Sequence, residues 1–220
     1  MKIRYAVYLF LLLCVFIAGL LTNKKQAVWQ QFITVLVGVT FLSETIGFVS
    51  AKLYGNNSLV YHVFNPIQYC LFTCIFYKVS TNKSERQLLI LALVLEVLFA
   101  LVNVAYFEHY NQFNSNLLVT NAILIVGWSL YFLYRSLKRD ITVNSRLLNI
   151  WLMSNGIFFC CTFFIFALLN DWPELTMKFS FLKSLLLIIL NALNIIYYAV
   201  TGFCSIPFKR KNILKANKML

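Results

Sequence analysis

The chain has 220 residues, of which 61% are hydrophobic, 17% aromatic and only 12% charged, and its mean hydropathy is +0.78. Soluble domains carry about a quarter of their residues as charges, so a soluble globular domain is excluded. Nineteen Lys and Arg against seven Asp and Glu give a net charge of +12, but these residues fall between apolar runs and near the C-terminus. That placement fits contact with anionic headgroups and not with nucleic acid.

Seven apolar runs follow one another, at 3–21, 28–49, 59–77, 88–106, 117–137, 147–169 and 181–203. About 20 residues rising 1.5 Å each cover the roughly 30 Å of a bilayer core. The expectation is an all-α bundle of seven transmembrane helices, joined by connections of roughly 6 to 12 residues. With three prolines and seven glycines there is no flexible linker. One membrane domain covers 1–205 and a basic stretch covers 206–220.

The first run, preceded by Lys2 and Arg4, has the look of a signal peptide. Its removal would reverse every later loop, so it reads as a retained span. Leu11-Leu12-Leu13-Cys14 lacks the small residue that a lipoprotein site places before its cysteine. In the second run Glu44 lies beside Ser43 and one turn before Gly47. The third brings His62, Asn65 and Gln68 in from the same side, with Pro66 predicting a kink.

The fourth run buries Glu96 about 13 Å from its start, near the midplane, with Asn103 two turns further along the same face. Asn121 opens the fifth. In the seventh, Ser184, Asn191, Asn194, Tyr198 and Thr201 share one helical face, and such a stripe must meet other helices and not lipid. Beyond it, Lys209, Arg210, Lys211, Lys215 and Lys218 alternate with apolar residues. This fits a short amphipathic helix on the lipid surface, or a basic tail that only enforces topology. Cys204 beside it is an acylation candidate or, more simply, a buried thiol.

Fourteen of the nineteen basic residues fall in the first, third and fifth loops and the tail. Positively charged loops stay cytoplasmic, which predicts an outside N-terminus and a cytoplasmic C-terminus. Five of the six cysteines lie inside apolar runs, where free thiols behave as small hydrophobes and no disulfide framework is expected. Trp29, Tyr54, Tyr106 and Trp172, near span ends, read as interface anchors.

Ionisable groups within spans are costly and mark functional candidates. Glu44, His62, Asn65, Gln68, Asn103 and Asn121 fall in the outer half of the spans and suggest a polar pocket reached from outside. Glu96 with Asn191 and Asn194 suggests an ion path. For each carboxyl the plainer reading is a neutral group hydrogen-bonded between helices. Catalysis finds no support: two histidines are too few for a three-histidine zinc hydrolase, and neither a Gly-rich phosphate loop nor G-x-S-x-G occurs. No metal site or cofactor is expected, and Cys70 with Cys74 forms no closed metal site.

The seven-pass, N-outside plan is similar to microbial rhodopsins, but the seventh span holds Asn191 and Asn194 where those carry a retinal-bearing lysine. It also resembles PQ-loop carriers, although Asn65-Pro66-Ile67-Gln68 lacks their Pro-Gln pair. The stretch from Phe41 through Tyr54-Gly55-Asn56-Asn57 to Tyr69 resembles a group of small seven-pass bacterial membrane proteins. That resemblance implies the architecture, an inner-membrane location and a role for Glu44, His62, Asn65 and Gln68, but no reaction. Three functions follow as expectations. The first is a receptor or sensor with an outward polar pocket for a small-molecule ligand, signalling to a protein partner. The others are a proton- or cation-coupled transporter and a non-catalytic accessory subunit.

Overall fold

A computed structural model describes residues 2–111, 114–138, 146–171 and 180–206. These residues form seven long helices and no strand: α1 Lys2–Thr22, α2 Val28–Tyr54, α3 Ser58–Val79, α4 Lys83–Val102, α5 Ser115–Leu137, α6 Arg146–Asp171 and α7 Ser180–Ser205. A 3-10 turn, Asn23–Lys25, follows α1, and a π turn, Asn103–Phe107, ends α4. All seven helices are long and apolar enough to cross a membrane, so the chain is a multi-pass, membrane-type helix bundle. The basic tail residues Lys209, Arg210, Lys211, Lys215 and Lys218, and Trp172, lie outside the described residues.

The first connections are shorter than expected. Residues 55–57 join α2 to α3, and 80–82 join α3 to α4. Apolar runs mark only the lipid-facing length of a helix, and polar capping carries it further. Gly55, with φ of 72°, closes α2 in the left-handed conformation, its N–H donating to Ala51 O at 3.1 Å. Asn56 Oδ1 then accepts from Ser58 N at 2.8 Å, and Asn82 Oδ1 from Ser84 N at 3.0 Å. α3 runs unbroken through Pro66.

Successive helices alternate in direction, which gives the bundle an amino-terminal end, where α1 begins, and a basic end, where it finishes. α1 packs on α2 and α7, α2 on α3 and α7, α3 on α4 and α5, and α6 on α5 and α7. Close approaches rest on small residues: a Cβ on Gly38 would lie 2.5 Å from the Phe16 ring, and one on Gly202 2.6 Å from Val15. The core is aromatic. Phe76 stacks on Phe132 at 5.4 Å, Phe72 on Trp151 at 5.8 Å and Phe158 on Tyr197 at 4.1 Å. Trp29 belongs to this core, 4% exposed and 6.5 Å from Trp151, and is therefore not an interface anchor. Tyr54 and Tyr106 are 80% and 82% exposed, as anchors would be.

At the basic end, Gln26 in the α1–α2 connection and Gln30 in α2 fasten the start of α2 to the last turn of α7. Gln26 Nε2 donates to Ser205 O at 2.9 Å and Gln30 Nε2 to Cys204 O at 2.8 Å. These carbonyls have no helical partner beyond the helix end, so the side-chain amides supply it.

Candidate functional site

α4 lies at the edge of the bundle, packed chiefly on α3, and most of its apolar side chains are exposed. Its buried residues are Glu85, Leu89, Glu96 and Ala100, with Asn103 in the π turn beyond. The spacings 4, 7, 4 and 3 put them on one face. Three of these five inward positions are polar, which is unusual for a face that anchors a peripheral helix, and each does something different.

Glu85 is the basic-end fastening. It is 5% exposed and accepts from Ser80 Oγ and Tyr131 Oη, both at 2.7 Å, and it is ion-paired with Arg135. Arg86 adds hydrogen bonds to Ser80 O at 2.8 and 3.2 Å and lies over the Tyr77 ring. Together these contacts pin the ends of α3, α4 and α5. A buried carboxylate is tolerable only when so fully partnered.

Asn103 is the fastening at the other end. It is fully buried, donating to Glu108 Oε2 at 2.8 Å and Asn114 Oδ1 at 3.2 Å while accepting from Asn116 Nδ2 at 3.1 Å. Glu108 in turn accepts from the backbone N–H groups of Ser115 and Asn116 at 3.1 and 3.2 Å and from the Ser115 hydroxyl. A carboxylate on the first amides of α5 meets both the orphan donors and the positive end of the helix dipole. Asn103 therefore closes a helix cap and does not line a pocket.

Between these fastenings sits Glu96, 2% exposed; among the described residues neither carboxyl oxygen makes a close, well-aligned hydrogen bond, and the Asn121 side chain is placed to offer a weaker one. Asn121 of α5 lies beside it, and Tyr69 of α3 is close enough to feel its charge. Asn121 Nδ2 donates to Asn65 O at 3.1 Å, joining α5 to α3. Among the described residues, Asn121 Oδ1, Asn65 Nδ2, Tyr69 Oη and Thr73 Oγ1 are also buried without a close, well-aligned hydrogen bond. Trp128 and Thr73 flank the Tyr69 hydroxyl. Buried polar groups are nearly always well paired, so a series of them along α3, facing Glu96 of α4 and Asn121 of α5, stands out.

Further polar atoms run from this centre towards the basic end. α3 and α5 are parallel, with Asn65 level with Asn121 and Phe76 level with Phe132. In that register Ser129 stands at the depth of Thr73, and Ser136 near Ser80 and Glu85. The Ser129 and Ser136 hydroxyls are likewise buried without a hydrogen bond among the described residues.

Glu44 belongs to a different neighbourhood. Tyr5 Oη donates to Glu44 O at 2.7 Å and to its Oε2 at 3.2 Å, and Tyr61 Oη to the same oxygen at 3.3 Å. Tyr5 stacks on Phe48, and Tyr8 lies 5.8 Å from Tyr198. His62 follows Tyr61 by about 100° around α3, on the face that carries Asn65 and Tyr69. Glu44 is thus bonded by Tyr5 and Tyr61, whereas the Asn65 carbonyl, one turn beyond Tyr61 on α3, meets Asn121 of α5. Gln68 is half-buried.

On α7, Ser184 is exposed, Asn191 and Asn194 are half-buried, and Tyr198 and Thr201 are buried, so the polar stripe faces inward only towards the basic end. Asn191 Nδ2 bonds back to its own helix, donating to Leu187 O at 2.7 Å. Tyr197 Oη donates to Asn155 Oδ1 at 2.8 Å. All six cysteines are free thiols, and no group of three His, Cys, Asp or Glu among the described residues has metal-binding geometry. No protein-family model, curated protein or solved structure matches the chain.

The sequence singled out Glu96, Asn121 and Asn65, but it missed Tyr69, Glu85 and Glu108. Tyr69 follows His62 by seven positions and Asn65 by four, a one-face spacing that was readable. Glu85 and Glu108 lie at span ends, where a charge looks ordinary.

Proposed function

We propose that this chain is a small proton- or cation-coupled membrane carrier whose ion site is centred on Glu96. The observation that carries this reading is that Glu96 is buried at mid-bundle with only Asn121 placed beside it and, among the described residues, no close hydrogen bond to either carboxyl oxygen. A carboxyl serving only as a strut between helices would be hydrogen-bonded, as Glu85 is. A carboxyl that must take up and release an ion cannot be permanently saturated by its neighbours. Asn121, Asn65 and Tyr69 supply the surrounding polar atoms, and Thr73, Ser129 and Ser136 continue them towards the Glu85–Arg135 pair. That pair closes one end of the α3–α4–α5 group and the Glu108 cap closes the other.

The basic loops favour an inner-membrane orientation with the amino-terminal end outside and the basic end in the cytosol. A receptor with an outward pocket draws less support, because the Glu44 carboxylate is already hydrogen-bonded by Tyr5 and Tyr61.

The test uses proteoliposomes loaded with a pH-sensitive dye and challenged with panels of amino acids, sugars, organic cations and nucleosides, with and without sodium. A carrier gives proton or sodium entry with at least one solute class, abolished by Glu96→Gln and retained in Glu44→Gln. Ion movement identical in Glu96→Gln, or no ion movement with any solute, overturns the reading.

A further inference from the structure

Between the end of α1 and the start of α2 a groove of about 270 Å³ opens outwards from the bundle. That exceeds the roughly 150 Å³ that admits a benzene ring to an apolar cavity. Its walls are Phe16 and Leu20 of α1 and Phe32 and Val35 of α2, and Leu20 and Val35 are 52% and 47% exposed. Close helix contact sets the floor: a Cβ on Gly19 would lie 2.6 Å from the Thr34 side chain, and Gly38 lies under the Phe16 ring. The buried Thr34 hydroxyl is bonded to Gln30 O at 3.2 Å and to Gln26 Oε1 at 3.3 Å, so the floor needs no water. Such a groove takes an apolar occupant.

Its two ends differ in chemistry. Phe16 lies about 10 Å deeper along α1 than the turn that follows the helix. At the shallow end Asn23 and Gln31 border the mouth, tied by Gln31 Nε2 donating to Asn23 O at 3.2 Å. Lys24 and Lys25 follow Asn23 in the 3-10 turn, and both are exposed. α1 and the turn hold no acidic residue, and the first acid of α2, Glu44, lies about 20 Å beyond Gln31 along the helix. An apolar slot about 10 Å deep, with amides and two ammonium groups at its mouth, matches a negatively charged phospholipid: acyl chain inside, headgroup at the surface.

We infer that the α1–α2 groove binds one anionic phospholipid from the leaflet at the basic end, with an acyl chain along the apolar walls and the headgroup phosphate on Lys24 and Lys25. Charge complementarity selects this occupant. An apolar helix of a partner protein would cover the walls but leave the two lysines unmatched, and a free phosphate would meet the lysines but leave the walls unfilled. The bound lipid braces the start of α2, because Thr34 on the floor is bonded to Gln26, which reaches Ser205 O of α7 at 2.9 Å. The groove is separate from Glu96, which α4 presents to α3 and α5, so neither reading depends on the other.

The experiment titrates the full chain in non-ionic detergent with phosphatidylglycerol, with phosphatidylcholine of the same chains, and with glycerol phosphate as a headgroup without chains, and reads the bound species by native mass spectrometry. The first lipid retained should be one phosphatidylglycerol per chain, held more tightly than phosphatidylcholine. Lys24→Gln and Lys25→Gln should each weaken it about fivefold and leave phosphatidylcholine unchanged. Lys78→Gln with Lys83→Gln, an equal loss of charge elsewhere at the basic end, should leave this lipid in place. Val35→Trp and Leu20→Trp replace exposed side chains and fill the groove, so each should weaken both lipids about tenfold. Equal losses from the two lysine pairs would show diffuse attraction and overturn the inference. So would lipid binding undiminished in both Trp variants, or glycerol phosphate competing as well as the lipid does. A co-purifying protein or second copy of the chain that Val35→Trp displaces, with no lipid retained, would assign the groove to a protein and overturn it too.

Discussion

Replacing Glu108 tests whether polar fastening at a helix end holds the peripheral helix in place. Its carboxylate accepts two backbone N–H bonds at the start of α5, the Ser115 hydroxyl, and Asn103 Nδ2 at 2.8 Å. Losing a helix cap costs about 0.5–2 kcal/mol. Depriving a buried amide of a charged acceptor costs about 1–3 kcal/mol, and the lower part of that range applies because Asn103 keeps Asn114 Oδ1 at 3.2 Å. Glu108→Ala should therefore destabilise by about 2–4 kcal/mol. Glu108→Gln keeps the shape and one acceptor oxygen but turns an amide NH2 towards other donors, and should cost about half as much. For a chain of this size 1 kcal/mol moves Tm by about 2–4 °C. Thermal unfolding in detergent should thus show a fall on the order of 10 °C for Ala and about 5 °C for Gln. Both variants melting within a degree of the parent, or Gln proving worse than Ala, would refute the capping role.

At the opposite end, Glu85→Ala and Arg135→Ala should each destabilise by about 3 kcal/mol, since breaking a buried pair strands its partner. The double variant should cost clearly less than their sum, and strict additivity in unfolding experiments would show that the pair is not coupled. Gly202→Ala should cost about 1–3 kcal/mol in the same assay, because the β-branched Val15 it would meet at 2.6 Å has little freedom to move; a neutral result would show that α1 and α7 separate freely. Tyr5→Phe and Tyr61→Phe should each lower Tm by a few degrees while leaving Glu96-dependent ion movement intact, and loss of that movement would join Glu44 to the ion path. Alkaline phosphatase fused after Gly55 should be active and after Leu137 inactive; the reverse pattern would invert the bundle.

Hydropathy made the seven helices legible, since a bilayer imposes a length that no soluble fold requires. It did not give their ends. α2 runs on through Lys52 to Tyr54 and α4 begins at Lys83 because caps such as Gly55 and Asn82 act outside the apolar run. Glu96, Asn121 and Asn65 were visible because polar residues are rare in such runs. Depth did not say which neighbour each polar residue meets: Glu44 bonds Tyr5 and Tyr61, while Asn65 meets Asn121 across on α5. Asn103 looked like a pocket residue by its spacing from Glu96. Its true partner, Glu108, lies beyond a π turn that no periodicity rule anticipates.

The most direct measurement is the transient current from proteoliposomes adsorbed on a solid-supported membrane, after a rapid jump in sodium concentration or in pH. An ion entering a buried carboxylate moves charge across part of the bilayer, whatever solute the carrier takes. The parent protein and Glu44→Gln should give a saturable displacement current, and Glu96→Gln and Glu96→Ala should give none. A current of undiminished size in the Glu96 variants, or no current from the parent in either jump, would contradict an ion site at this residue.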